Sequence, residues 1–236
     1  MSQAVAERVV VITGAFGALG MAVARAFAQT GARLALIDLA QPSPDVQREF
    51  ASGPHMLLGG VDLSDLEVTR KAMAAIAMRL GGIDVLCNVA GGFRWEKLED
   101  GDVETWDTLY AMNLRSAVVC CKCALPALLE RGAGRIVNIG AGAAAKAGLG
   151  MGAYTASKAG VQRLTEALSE EVKDRNVTVN AILPGVIDTP RNRLDMPQAD
   201  FSKWVSPAQI AGVIVFLASD AASAITGAAI PVFGRG

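Results

Sequence analysis

Two side chains that could exchange a proton, Tyr154 and Lys158, lie four residues apart in the chain. In a helix this spacing places both side chains on one face. A free tyrosine has a pKa of about 10 and is a poor acid or base at neutral pH. A nearby ammonium group stabilises the phenolate and lowers that pKa. The pair therefore predicts a proton donor or acceptor, although the same spacing is also common on ordinary helix faces.

The composition favours chemistry that does without histidine. The 236-residue chain has one histidine, His55, and 25 glycines, and 52% of its residues are hydrophobic. One histidine argues against histidine-centred catalysis, and we expect no metal. A net charge of −1 gives no basic footprint for nucleic acid and no polybasic membrane patch. The expected partner is therefore a small-molecule substrate.

The chain also carries hints about its compartment. Residues 1–8 have no basic stretch before an apolar run, so no signal peptide is predicted. The uncharged run that begins at Val9 ends at Ala24 and is too short to span a bilayer. We expect the four cysteines to be reduced and mostly buried. Together these features predict a cytoplasmic protein with no membrane partner.

The elements that must position these residues alternate along the chain. Strands are predicted at 8–13, 33–38, 56–61, 83–87, 135–139, 177–183 and 229–233, and helices at 18–30, 65–81, 103–131, 153–175 and 207–219, with a weaker helix at 43–51. Several strands are continuous Val/Ile/Leu runs, which is typical of parallel strands buried on both faces. The pattern predicts an α/β fold, a doubly wound parallel sheet of about seven strands in a single domain, 1–236. The segment 184–207 is the longest irregular one and is expected to be functional.

A glycine-rich turn, Thr13–Gly20, follows the first strand and opens a helix. Glycine lets the backbone approach a pyrophosphate, whose charge then lies at a helix N-terminus. The strand–turn–helix context is the one that a dinucleotide-binding turn requires. The candidate cofactor-binding residues of this turn are Gly14, Phe16, Gly17, Leu19 and Gly20.

Two carboxylates follow the next two strands. Asp38 lies 18 residues after Gly20, where a carboxylate accepts hydrogen bonds from the ribose hydroxyls and repels a 2′-phosphate. No Lys or Arg lies in the turn or directly after Asp38, so NAD(H) is favoured over NADP(H). Alternatively, Asp38 only starts a turn before Pro42. Asp62, beside Leu63, is a second candidate near the adenine, or it belongs to the N-cap region of the next helix.

Five motifs occur in an order that resembles the short-chain dehydrogenase/reductase superfamily. They are Thr13–Gly20, Asn88-Val89-Ala90-Gly91, Asn113, Tyr154-Thr155-Ala156-Ser157-Lys158 and Pro184–Thr189. The resemblance covers essentially the whole chain, and the combination is specific although each motif alone is not. It implies a Rossmann-type oxidoreductase that transfers hydride between NAD(H) and an organic substrate.

The resemblance also implies roles for particular residues. Those on the adenosine and pyrophosphate side would be Gly14, Leu19, Asp38, Asp62, Asn88, Ala90 and Gly91, and those at the nicotinamide carboxamide Pro184, Ile187 and Thr189. Tyr154 would relay the proton, and Lys158 would bind the nicotinamide ribose and tune Tyr154. Asn113 would anchor a water between Lys158 and solvent, unless it is only a polar residue on an exposed helix face. The family's pairing of helices 103–131 and 153–175 implies a homodimer or homotetramer.

Two positions depart from the family pattern. Ala18 replaces a usual glycine, a small change that should preserve cofactor binding. The serine that positions the carbonyl normally lies 13 residues before the tyrosine, where this chain has Ala141, and no Ser or Thr occurs between Ile139 and Ala153. Loss of one such donor typically costs about 10²–10³ in rate.

Ala141 leaves two explanations open: an NAD-binding regulator or pseudoenzyme without turnover, or a substrate that does not need the donor. Cys87, Val89–Phe93, Ala141 and Leu183–Trp204 are similar to quinonoid dihydropteridine reductase, whose electron-poor ring accepts hydride readily. Asn88 and Asn113, in contrast, belong to the commoner dehydrogenase pattern. The most specific prediction is reduction of a quinonoid dihydropterin or a similar activated ring. The alternative enzyme is a general ketone/alcohol dehydrogenase, such as a 3-oxoacyl reductase.

Overall fold

Seven strands pair in parallel in the order β3-β2-β1-β4-β5-β6-β7. Their bounds are β1 Val9–Thr13, β2 Arg33–Ile37, β3 Met56–Leu58, β4 Val85–Asn88, β5 Gly134–Ile139, β6 Val177–Pro184 and β7 Ala229–Val232. The computed structural model describes residues 7–235. Residues 1–6, on which much of the signal-peptide prediction rests, and residue 236 lie outside the described residues.

Helices cover both faces of the sheet. They are α1 Ala18–Ala28, α2 Pro44–Glu49, α3 Leu66–Leu80, α4 Val103–Leu109, α5 Ser116–Glu130, α6 Gly152–Val172, α7 Pro190–Asp195 and α8 Pro207–Leu217. On one face Phe27 and Ile214 belong to a core built from α1, α8 and the sheet. On the other face Ile76, Leu128 and Leu168 pack from α3, α5 and α6. The predicted α/β, doubly wound parallel sheet of seven strands is confirmed.

The strand order explains where a ligand can bind. The chain builds outward from β1 to β3 and then returns to β4, which pairs with the other side of β1. The connections after β1 and β4 therefore leave in opposite directions and open a crevice at the carboxyl ends of these strands. In open α/β sheets ligands bind at such a switch point.

The predicted helix 103–131 is not a continuous α-helix. A π-helical segment, Tyr110–Arg115, separates α4 from α5. A π turn contains an extra residue, and such turns are frequent at functional sites. Here it places Asn113, 1% exposed, inside the protein, where its amide finds polar partners. The alternative of an exposed Asn113 is therefore wrong.

The segment 184–207 is more ordered than predicted. Thr189 caps α7 by accepting a hydrogen bond from the Asn192 amide at 3.2 Å, and Pro190 follows at the first helical position. A capping threonine followed by proline is a helix-start signal that could have been read from the sequence. A 3₁₀ turn follows at Phe201–Lys203. The chain then returns to the sheet edge, where Ile187 and Val205 form a parallel bridge.

All four cysteines are free, and Cys87, Cys120 and Cys121 are buried while Cys123 is half-buried. Burial raises the pKa of each of these thiols, so they stay protonated. Within residues 7–235 no group of three or more His, Cys, Asp or Glu side chains is arranged to hold a metal ion. The run Val103–Glu130 is long and apolar enough to cross a membrane by length and composition, although 44% of its most apolar window is buried.

Candidate active site

Tyr154 and Lys158 lie in the first two turns of α6. Lys158 is buried, and its ammonium donates a hydrogen bond to the carbonyl of Ile139 at 2.8 Å. Since Ile139 is the last residue of β5, this bond ties the lysine to the carboxyl edge of the sheet. Phe93 packs edge-on against the Tyr154 ring, with 4.9 Å between the ring centroids. The predicted pair thus occupies the floor of the crevice.

Asn113 supports this pair from the π-helical segment. Its side-chain carbonyl accepts from the Gly92 amide at 2.8 Å, and its Nδ2 donates to the Gly92 carbonyl at 3.1 Å. Nδ2 also donates to the Ser157 hydroxyl at 2.9 Å. Asn113 therefore joins the loop after β4 to α6 beside Lys158. Any larger residue at Gly91 would collide with it, because a Cβ there would lie 2.7 Å from Asn113 Oδ1.

Burial dominates the protonation of the pair. It raises the pKa of Tyr154 to about 12 and lowers the pKa of Lys158 to about 8. The sequence predicted the opposite shift for Tyr154, from the nearby ammonium group. Among the protein's own groups, the loss of solvent around the phenol outweighs the lysine charge, so lowering the Tyr154 pKa requires a further positive charge.

The glycine turn approaches the loop after β4 very closely. Gly14 has a φ of +60°, and a Cβ there would lie 2.7 Å from Ala90 Cα. A Cβ at Gly20 would lie 2.2 Å from the Gly14 carbonyl oxygen. Thr13 Oγ1 holds the two segments together by accepting from the amides of Val89 and Ala90 at 3.0 and 3.1 Å. Both glycines are therefore required by the backbone of this turn.

The start of α1 is open to an anion. Its N-cap is Gly17, which provides no side-chain hydrogen bond, and its first turn contains no acidic residue. In contrast, Asp65 caps α3 and Ser206 caps α8. The uncapped amides and the helix dipole favour a phosphate at α1.

Asp38 is connected to the glycine turn. It follows β2, and its Oδ2 accepts from the Phe16 amide at 2.9 Å while its Oδ1 accepts from the Ala40 amide at 3.0 Å. A carboxylate has about four acceptor positions, so it can still bind ribose hydroxyls. Asp62 lies on the surface after β3 and accepts from the Ser64 amide and hydroxyl at 2.9 and 2.7 Å. The N-cap of α3 is Asp65 rather than Asp62.

Three predicted residues lie elsewhere or make different contacts. Leu63 is buried in the core beneath α3. The Asn88 side chain donates to Asn138 Oδ1 at 2.8 Å, between β4 and β5, and does not line the cavity. Thr189 uses its oxygen to cap α7, which leaves its hydroxyl proton free to donate.

A cavity of about 1510 Å³ extends from the Tyr154–Lys158 pair to the segment 184–207. Six predicted residues line it: Leu19, Gly91, Tyr154, Lys158, Pro184 and Ile187. Its volume exceeds the usual range of about 300–1,000 Å³ for a single ligand. The cavity therefore has room for a substrate beside part of a cofactor.

Aromatic side chains form much of the cavity wall. Phe93, Trp95, Trp204 and Phe233 line it together with Met151 and Met196. The indole of Trp95 packs over the backbone of Gly150, and the Glu96 amide donates to the Gly150 carbonyl at 2.8 Å. Trp204 packs against Phe201 with 4.7 Å between ring centroids. None of these aromatic contacts was derived from the sequence, because they join segments far apart in the chain.

Ala141 lines the cavity and is itself buried. No Ser or Thr is found among the described residues that line the cavity, and Tyr154 carries the only hydroxyl there. The absence of a second hydroxyl donor is therefore a property of the whole pocket.

The segment 184–207 forms one wall and is braced by Arg193. This side chain binds both carboxylate oxygens of Asp188, at 2.6 and 2.8 Å, and its guanidinium lies 4.8 Å from the centre of the Phe201 ring. The beginning and the end of the wall are thereby connected.

Comparison with known proteins decides the family. A family model described as short chain dehydrogenase matches residues 8–200. D-beta-hydroxybutyrate dehydrogenase of Rhizobium meliloti is 33% identical, over 95% of this chain and 96% of that protein. D-threitol dehydrogenase of Mycolicibacterium smegmatis is 35% identical, over 96% and 92%. The chain belongs to the short-chain dehydrogenase/reductase family.

A solved structure supports the same assignment. Carveol dehydrogenase from Mycobacterium avium in complex with NAD superposes with a TM-score of 0.88 and 27% identity, and the match covers 98% of each chain. The protein is therefore a dehydrogenase of the short-chain family with an NAD(P)-type cofactor. The family resemblance drawn from the five motifs is confirmed.

The short-chain dehydrogenase site fits a dinucleotide. Gly14 and the uncapped start of α1 would hold the pyrophosphate, Asp38 the adenosine ribose, and Lys158 the nicotinamide ribose. When bound, the dinucleotide supplies or accepts the hydride. The chain's own task is then to move a proton at the substrate oxygen, and the Tyr154 hydroxyl is the group placed to do so.

Sequence reasoning missed several positioning residues. Ser157 donates to the Tyr154 carbonyl at 2.7 Å and accepts from Asn113, and Thr13 fixes the loop after β4. Both residues lie inside motifs already quoted, so their neighbours were the available signal. Nothing local in the sequence indicated that Phe93 would contact Tyr154.

Proposed function

We propose that this protein interconverts an alcohol and a ketone on an apolar, ring-containing substrate, with NAD(H) preferred over NADP(H). The observation that carries the proposal is the Tyr154–Lys158–Asn113 group at the floor of a cavity with aromatic walls. The relatives matched here are named as dehydrogenases of hydroxyl compounds, which supports alcohol chemistry. The NAD preference rests on Asp38, whose carboxylate would repel a 2′-phosphate.

Ala141 favours a second candidate, the reduction of an activated ring such as a quinonoid dihydropterin. Such a ring accepts hydride without generating an alkoxide, so the missing hydroxyl donor would not be needed. The relatives matched here do not include a dihydropteridine reductase. The pterin candidate therefore depends on the chemistry at Ala141 alone.

We also propose that the protein is a homodimer or homotetramer. Apolar side chains that are partly exposed lie along α4, the π-helical segment and α5, including Trp106, Tyr110, Met112 and Val118. A second copy would cover them through the same helices. Sedimentation would test this, and a monomer at micromolar concentration would contradict it. The cytoplasmic location stays a prediction.

The function is tested by cofactor absorbance with a substrate panel. The panel holds cyclic secondary alcohols, the matching ketones and a quinonoid dihydropterin, each assayed with NAD(H) and NADP(H). We expect turnover that falls by about 10²–10⁴ in Tyr154→Phe, the usual contribution of a positioned acid–base group. Tyr110→Phe, the only other tyrosine in the chain, is the matched control.

The outcomes separate the alternatives. Turnover of ring ketones supports the proposal, and turnover of the pterin alone favours the second candidate. Tight NADH binding with no turnover across the panel would contradict both and indicate a regulator without turnover.

A further inference from the structure

The cavity carries an excess of positive charge on its walls. Six charged side chains line it, of which four are cationic and two acidic: Arg94, Lys158, Arg191 and Lys203, with Asp195 and Asp200. An apolar alcohol or ketone gives no reason for such an excess. We therefore followed which of these charges already have partners.

Two of the cations are already engaged. Lys158 is buried and donates to the Ile139 carbonyl, so it belongs to the proton-transfer pair. Arg191 forms an ion pair with Asp195, with Nε 2.8 Å from the carboxylate. These groups leave no free charge for a substrate.

The second carboxylate points back into its own turn. Asp200 Oδ1 accepts from the Ser202 amide and hydroxyl at 3.1 and 2.6 Å. These bonds, followed by a smaller contribution from the Lys203 charge, hold the pKa of Asp200 below its usual value. The carboxylate lies beyond ion-pair distance of Lys203 in the part of the chain that the structure describes.

Arg94 and Lys203 remain, on two different walls. Arg94 follows Phe93, whose ring contacts Tyr154, and its only hydrogen bond within residues 7–235 goes from Nη1 to the Thr105 hydroxyl at 3.1 Å. An arginine has five N–H donors in a planar fork, so most of its donors stay available. Lys203 is exposed, and its backbone carbonyl is held by the Arg235 amide at 3.0 Å, which fixes its base.

We propose that Arg94 and Lys203 bind an acidic group, such as a carboxylate, on the substrate. The proposal deepens the proposed function and rests on it: the ring would lie between the aromatic walls, with its reacting oxygen at Tyr154 and its anionic group at these two cations. Arginine suits a carboxylate because its fork can donate two parallel hydrogen bonds.

The experiment measures binding rather than turnover, so its result is independent of whether the alcohol–ketone reaction is found. The chain has three tryptophans, and Trp95 and Trp204 line the cavity while Trp106 does not. In a Trp106→Phe background with saturating NAD⁺, benzoate and benzamide are titrated against tryptophan fluorescence. The two probes share a ring and differ in charge.

We expect benzoate to bind about tenfold more tightly than benzamide, as charge-assisted hydrogen bonds allow. Salt should weaken benzoate binding and leave benzamide binding unchanged. Arg94→Gln and Lys203→Gln should each remove most of the preference, and Arg94→Lys should restore part of it. Arg70→Gln, which removes a cation that lies outside the cavity on α3, should keep the preference intact.

Equal affinity for the two probes would overturn the proposal. A benzoate preference that survives in the Arg94→Gln/Lys203→Gln double variant would also overturn it, because the attraction would then come from Lys158 or the cofactor. Circular dichroism and NADH affinity of each variant show that it is folded.

Discussion

The cofactor end and the reacting end of the crevice are built in different ways. The cofactor end uses backbone: Gly14 and Gly20 allow close approach, and the uncapped start of α1 presents its amides. The reacting end uses side chains from three distant segments, the loop after β4, the segment after β5 and the segment 184–207. The family pattern is kept at the first end and broken at the second, by Ala141. The difference indicates that cofactor binding is a fixed property of the fold, whereas substrate choice is set by a few side chains.

The largest expected effect concerns the buried lysine of the reacting end. Lys158→Met should abolish turnover and raise the free energy of unfolding at pH 7 by about 3 kcal/mol. The fall in the Lys158 pKa from 10.5 to about 8 corresponds to roughly that penalty for the charged form. The penalty is present below pH 8 and disappears as the pH rises to 10.5, because both states are then uncharged.

Urea unfolding at pH 7 and pH 10.5 would measure this effect. The gain in stability should shrink at the higher pH. Lys71→Met, on the exposed surface of α3, should show no such pH-dependent gain. A Lys158→Met protein that is less stable than the wild type at pH 7 would show that burial of the ammonium is compensated.

At the cofactor end, Asp38→Asn should weaken NADH binding by about tenfold or more, as expected for the loss of charge-assisted hydrogen bonds. NADPH binding should improve relative to NADH, since the negative charge is gone. Fluorescence titration with both cofactors measures the ratio, and Asp45→Asn on exposed α2 is the control. If the wild type already binds both cofactors equally, the role given to Asp38 is wrong.

The sequence was a better guide to the cofactor end than to the reacting end for a physical reason. Gly14, Asp38 and the Tyr154–Lys158 spacing each satisfy a local requirement of backbone or helix geometry, so short patterns predict them. The contact of Phe93 with Tyr154, and the packing of Trp95 on Gly150, depend on how distant loops converge. The π-helical turn around Asn113 was missed because its partners at Gly92 lie on another element.

The smallest of these effects concerns the broken pattern itself. Ala141→Ser should raise kcat on a simple ring ketone by about tenfold, less than the 10²–10³ of an optimised oxyanion donor. Ala143→Ser adds a hydroxyl to the same cavity at a neighbouring position and should leave kcat unchanged. A fall in kcat in Ala141→Ser would instead support a substrate for which the alanine is required.

The proton relay at Tyr154 is the central claim, and tyrosinate absorbance tests it most directly. The chain has two tyrosines, so Tyr110→Phe leaves Tyr154 as the only phenol that titrates. In the protein alone we expect titration near pH 12, as burial dictates. Saturating NAD⁺ should lower that pKa by one unit or more, because a positive charge stabilises the phenolate, whereas NADH should lower it less. A Tyr154 pKa that is the same with and without NAD⁺ would contradict the account.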